Sequence, residues 1–454
     1  MTLSTRKTRL VLATVAALGI STLAQADDLL SIYREAQRND PSFAAARYGL
    51  EAGREKVSQA KSQLLPQVGL GGKWNRIYGS YDPGNPDPLL RVQKFDYSGN
   101  SGNLNVQASQ PLYRPQYGVA VDQAGASVSL SELQYKGSEQ QLILRTAQAY
   151  MDVLQARDKV TLAAAQKEAF SEQLAQAKKR FQLGVATITD TYEAQSRYDQ
   201  TAALEIVARN DLVVKTNALS QLIGKQPGWL SSLDQKMKPQ LPAPANVDAW
   251  LDKSLKDNVQ LQSQLQLEQI AKYEVQRNKD GHKPTLDLVG SYGNTWDIAG
   301  IAKNGGTDQT RVGLIGLQLN VPLYTGGGLS SKDREAAANF EKAKMETEAK
   351  RREVEQNTKS AFLGMTNGAA QIAALEQALI STQSQLDATK TGQQVGVRTN
   401  VDVLNAQQQY YEARFNLQKA RYDYLMASLF LAAASGDLTE EHLLAINKQL
   451  VEKQ

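Results

Sequence analysis

The chain has 454 residues, 51 Lys and Arg against 47 Asp and Glu, and no Cys. Its length accommodates two or more domains, and the lack of Cys excludes a disulfide scaffold, a thiolate metal site and a lipid-modified N-terminal cysteine. A mean hydropathy of −0.44 excludes an inner-membrane bundle of apolar helices, and the near-neutral charge balance gives no reason to expect a nucleic-acid partner.

Arg6, Lys7 and Arg9 precede an apolar run from Leu10 to Leu23, followed by Ala24-Gln-Ala26. This order predicts a secretory signal peptide over residues 1–26, cleaved after Ala26. The run is shorter than the ~20 residues a spanning helix needs. Removing it leaves 48 basic against 47 acidic residues and an exported protein.

The rest of the chain reads as one unit written twice. Leu183-Gly-Val-Ala-Thr-Ile-Thr-Asp190 matches Val395-Gly-Val-Arg-Thr-Asn-Val-Asp402 at an offset of 212, which also relates Gln195 to Gln407 and Tyr198 to Tyr410. Upstream, Gln110-Pro-Leu-Tyr113 matches Val321-Pro-Leu-Tyr324. The predicted units are 27–246 and 247–454, joined through the Pro-rich stretch 238–244, and each runs helix, two strands, long helix, helix.

In chain order, a short helix is predicted near Pro41 to Ser62. Val68, Leu70 and Trp74, then Leu104, Val106 and Ala108, alternate with polar residues as strands do. After Pro115 there is no proline through Leu183, and strong helix formers continue until Gly184 stops them. A shorter helix follows over 187–223. The second unit repeats the series: a helix near Val259 to Arg277, strands around Leu286, Leu288 and Tyr292 and over Val312 to Val321, a helix from Leu329 to Val395 and another over 400–435. In the last strand Val312 and Leu314 fall on one face and Ile315, Leu317, Leu319 and Val321 on the other, so its register stays open. The short first helix of each unit is placed to stack end to end on the last helix, the two together roughly matching the long one. Narrow apolar stripes such as Leu404, Tyr411, Phe415, Tyr422 and Leu425 suit a coiled coil or the wall of a hollow bundle rather than a thick core.

Each predicted strand is about ten residues, the length of a tilted membrane strand. Trp74, Tyr78, Tyr97, Tyr113, Tyr292, Trp296 and Tyr324 lie near strand ends, where an aromatic girdle sits, although soluble sheet edges are aromatic too. Polar loops are expected at about 79–98 and 297–309. Four strands cannot close a barrel, and open edges are forbidden in lipid, so a membrane reading requires several chains to share one.

With Leu30-Ser-Ile-Tyr-Arg-Glu-Ala-Gln-Arg-Asn-Asp-Pro41, Leu64-Leu-Pro-Gln67, Pro111-Leu-Tyr113, Gly281-His-Lys-Pro-Thr-Leu-Asp-Leu288 and Val395-Gly-Val-Arg-Thr-Asn-Val-Asp-Val-Leu404 in this order, the chain resembles the TolC family of outer-membrane channel-tunnels over nearly all its mature length. The resemblance implies a mainly α protein with membrane β: a homotrimer in which long antiparallel helices form an α-helical tunnel continued by a shared 12-stranded transmembrane β-barrel. It implies an equatorial domain built from the segment between the repeats and the C-terminal tail. It further implies an export duct in the outer membrane and its lipid, reaching into the periplasm and serving type I secretion or multidrug efflux. The implied partners are a periplasmic adaptor and an inner-membrane ABC or proton-driven transporter, with no cofactor.

The resemblance also assigns residues. Asp402 matches the first aspartate of a pore constriction, and Asn405 stands where a second is expected. Thr189 and Asp190 match positions that link neighbouring hairpins, Arg398 their basic partner, and Gln393 replaces an expected tyrosine. Leu183, Gly184, Val185, Val395, Gly396 and Val397 resemble tips that dock an adaptor, and they also read as simple helix C-caps. Asp190 followed by Glu193 reads equally as a capping box, and Asp402 as a first-turn acid favoured by the helix dipole. For catalysis the residues offer nothing: His282 and His442 are isolated, and there is no phosphate loop or nucleophile elbow. The competing readings are a pore-less periplasmic coiled-coil scaffold and, more distantly, a periplasmic hydrolase.

Overall fold

A computed structural model describes residues 27–82, 84, 94–297 and 308–451. The predicted signal peptide and the centres of both predicted loops lie outside the described residues. The elements are α1 (Leu29–Asn39), α2 (Pro41–Ser62), β1 (Gln67–Tyr81), β2 (Phe95–Tyr113), α3 (Pro115–Gln182), α4 (Ile188–Ile223), β3 (Ser232–Leu233), α5 (Val247–Asp257), α6 (Val259–Lys279), β4 (Thr285–Asp297), β5 (Asp308–Asn320), α7 (Gly328–Gln394), α8 (Asn400–Ala434), α9 (Glu440–Asn447) and β6 (Leu450–Val451). The series α2-β1-β2-α3-α4 recurs as α6-β4-β5-α7-α8. Helices α1 and α5, which the sequence reading does not include, precede each series.

At 1.5 Å per residue the 68 residues of α3 and the 67 of α7 each reach about 100 Å. Along α3 lie α2 and α4, and along α7 lie α6 and α8. The junctions are hydrogen-bonded in the same way in both halves. The Asn39 amide donates to the Ile223 carbonyl at the end of α4 (2.8 Å), and the Asn258 amide donates to the Ala434 carbonyl at the end of α8 (2.9 Å). Each new helix therefore starts where an older one stops, satisfying a terminal carbonyl that would otherwise lack a partner. Asp40 caps α2 through the Ser42 amide and also meets Arg145 on α3 at 2.5 Å. Burial pushes its carboxyl up, but the Ser42 and Arg145 bonds outweigh that and leave it below the usual carboxylate range.

The thick apolar core sits at one level only. There Leu29, Ile32 and Tyr33 of α1 meet Leu142, Tyr150 and Leu154 of α3, Leu219 and Ile223 of α4, Leu425 and Leu429 of α8 and Leu443 of α9. The segment between the halves joins the chain's tail here, β3 pairing with β6 as Leu233 opposes Leu450. Elsewhere the helices touch along narrow seams, and much of their circumference faces solvent.

Strands β1, β2, β4 and β5 form one antiparallel sheet in that order. At 13 to 19 residues they exceed the ten expected from alternation, because backbone pairing continues through Tyr78 to Tyr81 and Phe95 to Ser98 after the apolar pattern fades. The pairing decides the open register. Val68, Ala108, Gly290 and Ile315 form one cross-strand row, and Leu70, Val106 and Tyr292 the next. Ile315, Leu317 and Leu319 therefore share the face of Leu70, Trp74, Val106 and Leu288. Val312 and Leu314 join Lys73, Asn103, Asn105, Gln107 and Thr295 on the other, where the Asn103 amide donates to the Thr295 hydroxyl (2.9 Å). Gly102 lies between Trp74 and Trp296, and a Cβ there would come within 3.1 and 3.3 Å of their rings. The apolar face is open, Ile315 being 81% and Leu70 71% exposed. Among the described residues no helix is long and apolar enough to cross a membrane.

Candidate functional site at the helical hairpin tips

Far from the sheet, α3 turns into α4 and α7 into α8. Both turns are Schellman motifs. Gly184 (φ 73°) and Gly396 (φ 84°) take the left-handed conformation, while the Val185 amide donates to the Arg180 carbonyl (3.0 Å) and the Val397 amide to the Gly392 carbonyl (2.9 Å). A side chain with a Cβ is strained at that φ, which is why glycine occupies both positions. The turns leave Leu183, Val185, Val395 and Val397 between 64 and 76% exposed. Four aliphatic side chains thus stand in water at the extreme of the molecule.

The next residues cap the following helices. Thr187 is the N-cap of α4: its hydroxyl accepts from the Asp190 amide, and the Asp190 carboxylate accepts from the Thr187 amide at 2.9 Å. Thr399 and Asp402 repeat this in α8, the Thr399 amide donating to Asp402 at 2.8 Å. The expected box of Asp190 with Glu193 is therefore corrected by one turn. The cap is Thr187 and the acid is Asp190, because the threonine hydroxyl reaches the third amide with the extended backbone a cap requires. The Thr399 amide and then its hydroxyl hold the Asp402 carboxyl below its usual range, against slight desolvation and with help from the Arg398 charge. Thr189 is tied into the same cap, its hydroxyl 2.8 Å from that of Thr187.

Asp190, Gln393 and Arg398 line one cavity of about 180 Å³ between the tips. Gln393 donates to the Asn400 side chain (3.1 Å), which donates to the Asp190 carbonyl (3.4 Å). Gln393 thus reaches the first hairpin through a relay where a longer side chain was expected. Arg398 is exposed, and among the described residues no carboxylate lies within 4 Å of its guanidinium. Its stem crosses Gly392, where a Cβ would approach Arg398 Cγ to 2.8 Å. Asp402 and Asn405 lie one turn apart on α8, and Asn405 is turned toward α4, accepting from Arg197 at 3.0 Å. Beneath the tips Leu404 is buried against Phe170, Leu174, Ala177 and Ala194, seating α8 on the first hairpin.

Thr187, Thr399, Asn400 and Arg197 escaped the sequence reading. The two caps were within reach, since Thr-x-x-Asp follows Gly-Val-x in both halves. The Arg197 link spans more than 200 residues and carries no local signal. Among the described residues no cluster of His, Asp or Glu is placed to hold a metal ion.

Residues 32–225 and 250–437 match the family model for outer membrane efflux proteins. The outer membrane protein TolC of Escherichia coli is 34% identical over 440 residues, 95% of this chain and 87% of that one. The alkaline protease secretion protein AprF of Pseudomonas aeruginosa is 31% identical over 421 residues, 91% of this chain and 85% of that one. The fold is that of the Campylobacter jejuni CmeC outer membrane channel, with a TM-score of 0.75 at 16% identity over 99% of this chain and 98% of that one. The chain belongs to the outer membrane efflux protein family, in its TolC group, and is an outer-membrane export duct that extends into the periplasm.

Proposed function

We propose that three copies of the chain assemble into a continuous duct, with residues 1–26 removed on export. Each copy contributes four strands, whose edges β1 and β5 have no further strand paired to them among the described residues. Pairing β5 of one copy with β1 of the next closes a barrel of twelve strands and removes the edges that lipid does not tolerate. The apolar face with Leu70, Val106, Tyr292 and Ile315 then meets lipid, and the face with Lys73, Asn103 and Thr295 lines the lumen. That separation of faces is the observation that carries the reading, since a soluble sheet packed on one side would bury the apolar face. Helices α3, α4, α7 and α8 continue the wall as a tunnel.

At the far end Asp402 and Asn405 line a constriction. Arg398, without a carboxylate partner among the described residues of its own subunit, reaches Thr189 and Asp190 of a neighbouring copy and holds the tips inward. The exposed tips at Leu183 to Val185 and Val395 to Val397 dock a periplasmic adaptor. An inner-membrane ABC or proton-driven transporter supplies the energy for expelling proteins or small toxic compounds, and the duct itself conducts passively. The test is insertion of detergent-purified protein into planar lipid bilayers. A heat-sensitive oligomer with discrete conductance is expected, whereas a water-soluble monomer without conductance would restore the pore-less scaffold.

A further inference from the structure

We propose that Arg197 determines the charge selectivity of the constriction by placing an uncancelled positive charge beside the Asp402 ring, so that the duct passes anionic solutes as readily as cationic ones. The inference rests on the reading that Asp402 and Asn405 face the pore. Arg197 projects from α4, and its guanidinium donates to Gln408 Oε1 at 2.5 Å and Asn405 Oδ1 at 3.0 Å, both on α8. Both acceptors are neutral amides. Three other arginines of the helical region, by contrast, end on carboxylates: Arg145 on Asp40, Arg209 on Glu205 and Arg421 on Glu376. Among the described residues no carboxylate lies within 4 Å of Arg197, so its charge remains available to the lumen.

Distance makes that charge effective. Asn405 follows Asp402 by three residues, about 4.5 Å along the helix axis. A solute ion within a screening length of that level, about 8 Å at physiological ionic strength, therefore meets the charge held on Asn405 together with the Asp402 ring. In a ring of three subunits, each Asp402 carboxylate is therefore offset by an Arg197 guanidinium one turn deeper. A narrow, low-dielectric passage amplifies the sign of the fixed charge that lines it. The fork of Arg197 also clasps α4 to α8, a role that depends on shape as well as charge, and the two roles separate on substitution by lysine.

The experiment is the reversal potential of the full-length protein in planar bilayers across a KCl gradient. Arg197→Gln is expected to raise the cation-over-anion permeability ratio by about threefold or more, while Arg197→Lys stays near the parent value. Gln408→Glu keeps the clasp but sets a carboxylate against the guanidinium, and it is expected to raise the ratio in the same direction, which carries the test if Arg197→Gln yields no oligomer. An unchanged ratio in Gln408→Glu or a raised one in Arg197→Lys overturns the proposal. So does an unchanged ratio in Arg197→Gln alongside a lowered one in Asp402→Ala, and there the constriction stands without Arg197. If Asp402→Ala is silent too, the constriction reading fails and this inference with it.

Discussion

At the first tip, Leu183-Gly-Val-Ala-Thr-Ile-Thr-Asp190 turns the chain with a left-handed glycine and recaps it with a threonine and an aspartate. At the second, Val395-Gly-Val-Arg-Thr-Asn-Val-Asp402 does the same with the same hydrogen bonds. What the two share is what a sharp reversal between long helices requires. What differs is Leu183 against Val395, Ala186 against Arg398, Ile188 against Asn400 and Thr189 against Val401. The shared residues build the turn, and of the differing ones Asn400 lets the second tip reach the first through the relay to Asp190. One turn further on, Leu404 is 1% exposed while its counterpart Tyr192 is 66% exposed. The second hairpin lies on the first through Leu404, whereas Tyr192 on α4 is left largely uncovered among the described residues.

The strongest way to break this comparison is at that last pair. Leu404→Ala is expected to destabilise the hairpin by about 2–4 kcal/mol, whereas Tyr192→Ala changes it by less than about 0.5 kcal/mol, measured by denaturant unfolding of the detergent-solubilised protein. Comparable losses at both sites would show that the two hairpins are packed alike. Next come the turns: Gly184→Val and Gly396→Val should each cost about 1–2 kcal/mol through the left-handed backbone, read as lost hydrogen-exchange protection in the tip amides. A large asymmetry would mean that the turns are not equivalent.

Smaller again are the caps. Thr187→Ala and Thr399→Ala should each cost about 1 kcal/mol and fray the first turn of α4 or α8, read by the same exchange experiment. Acid acts in the same direction at Asp402. Its carboxyl lies below the ordinary aspartate range in the folded chain, so the cap is intact above that range and weakens as pH falls through the lowered value. Fraying of α8 that began near neutral pH would contradict this sign. Arg398→Ser should have the smallest effect on subunit stability, under about 0.5 kcal/mol, because the side chain is exposed and makes no ion pair among the described residues. Its effect belongs to function: a raised open probability in planar bilayers, with Ala186→Ser silent. Equal gating in both variants would remove Arg398 from the lock.

How far the sequence reached depended on the range of the interaction. The long helices were visible to within a residue or two, since a proline-free run ended by a glycine at a C′ position is a local signal. The strand faces were visible wherever apolar and polar residues alternate, as from Val68 to Trp74. They were ambiguous in β5, where Leu314 and Ile315 are both apolar. At Asp190 two overlapping capping patterns fit the same letters, and only backbone conformation distinguishes an N-cap from the third residue after it.

The sequence by itself determined the doubled order of elements, the turn glycines and the tip residues, because periodicity, capping and left-handed backbone are properties of a few neighbouring residues. Only the tertiary structure decided which face of β5 is apolar, that Leu404 is buried where Tyr192 is not, and that Arg197 meets Asn405 and Gln408. Those facts depend on strands and helices whose partners lie far along the chain. Side-chain pairing across such distances follows from packing, which no local pattern records.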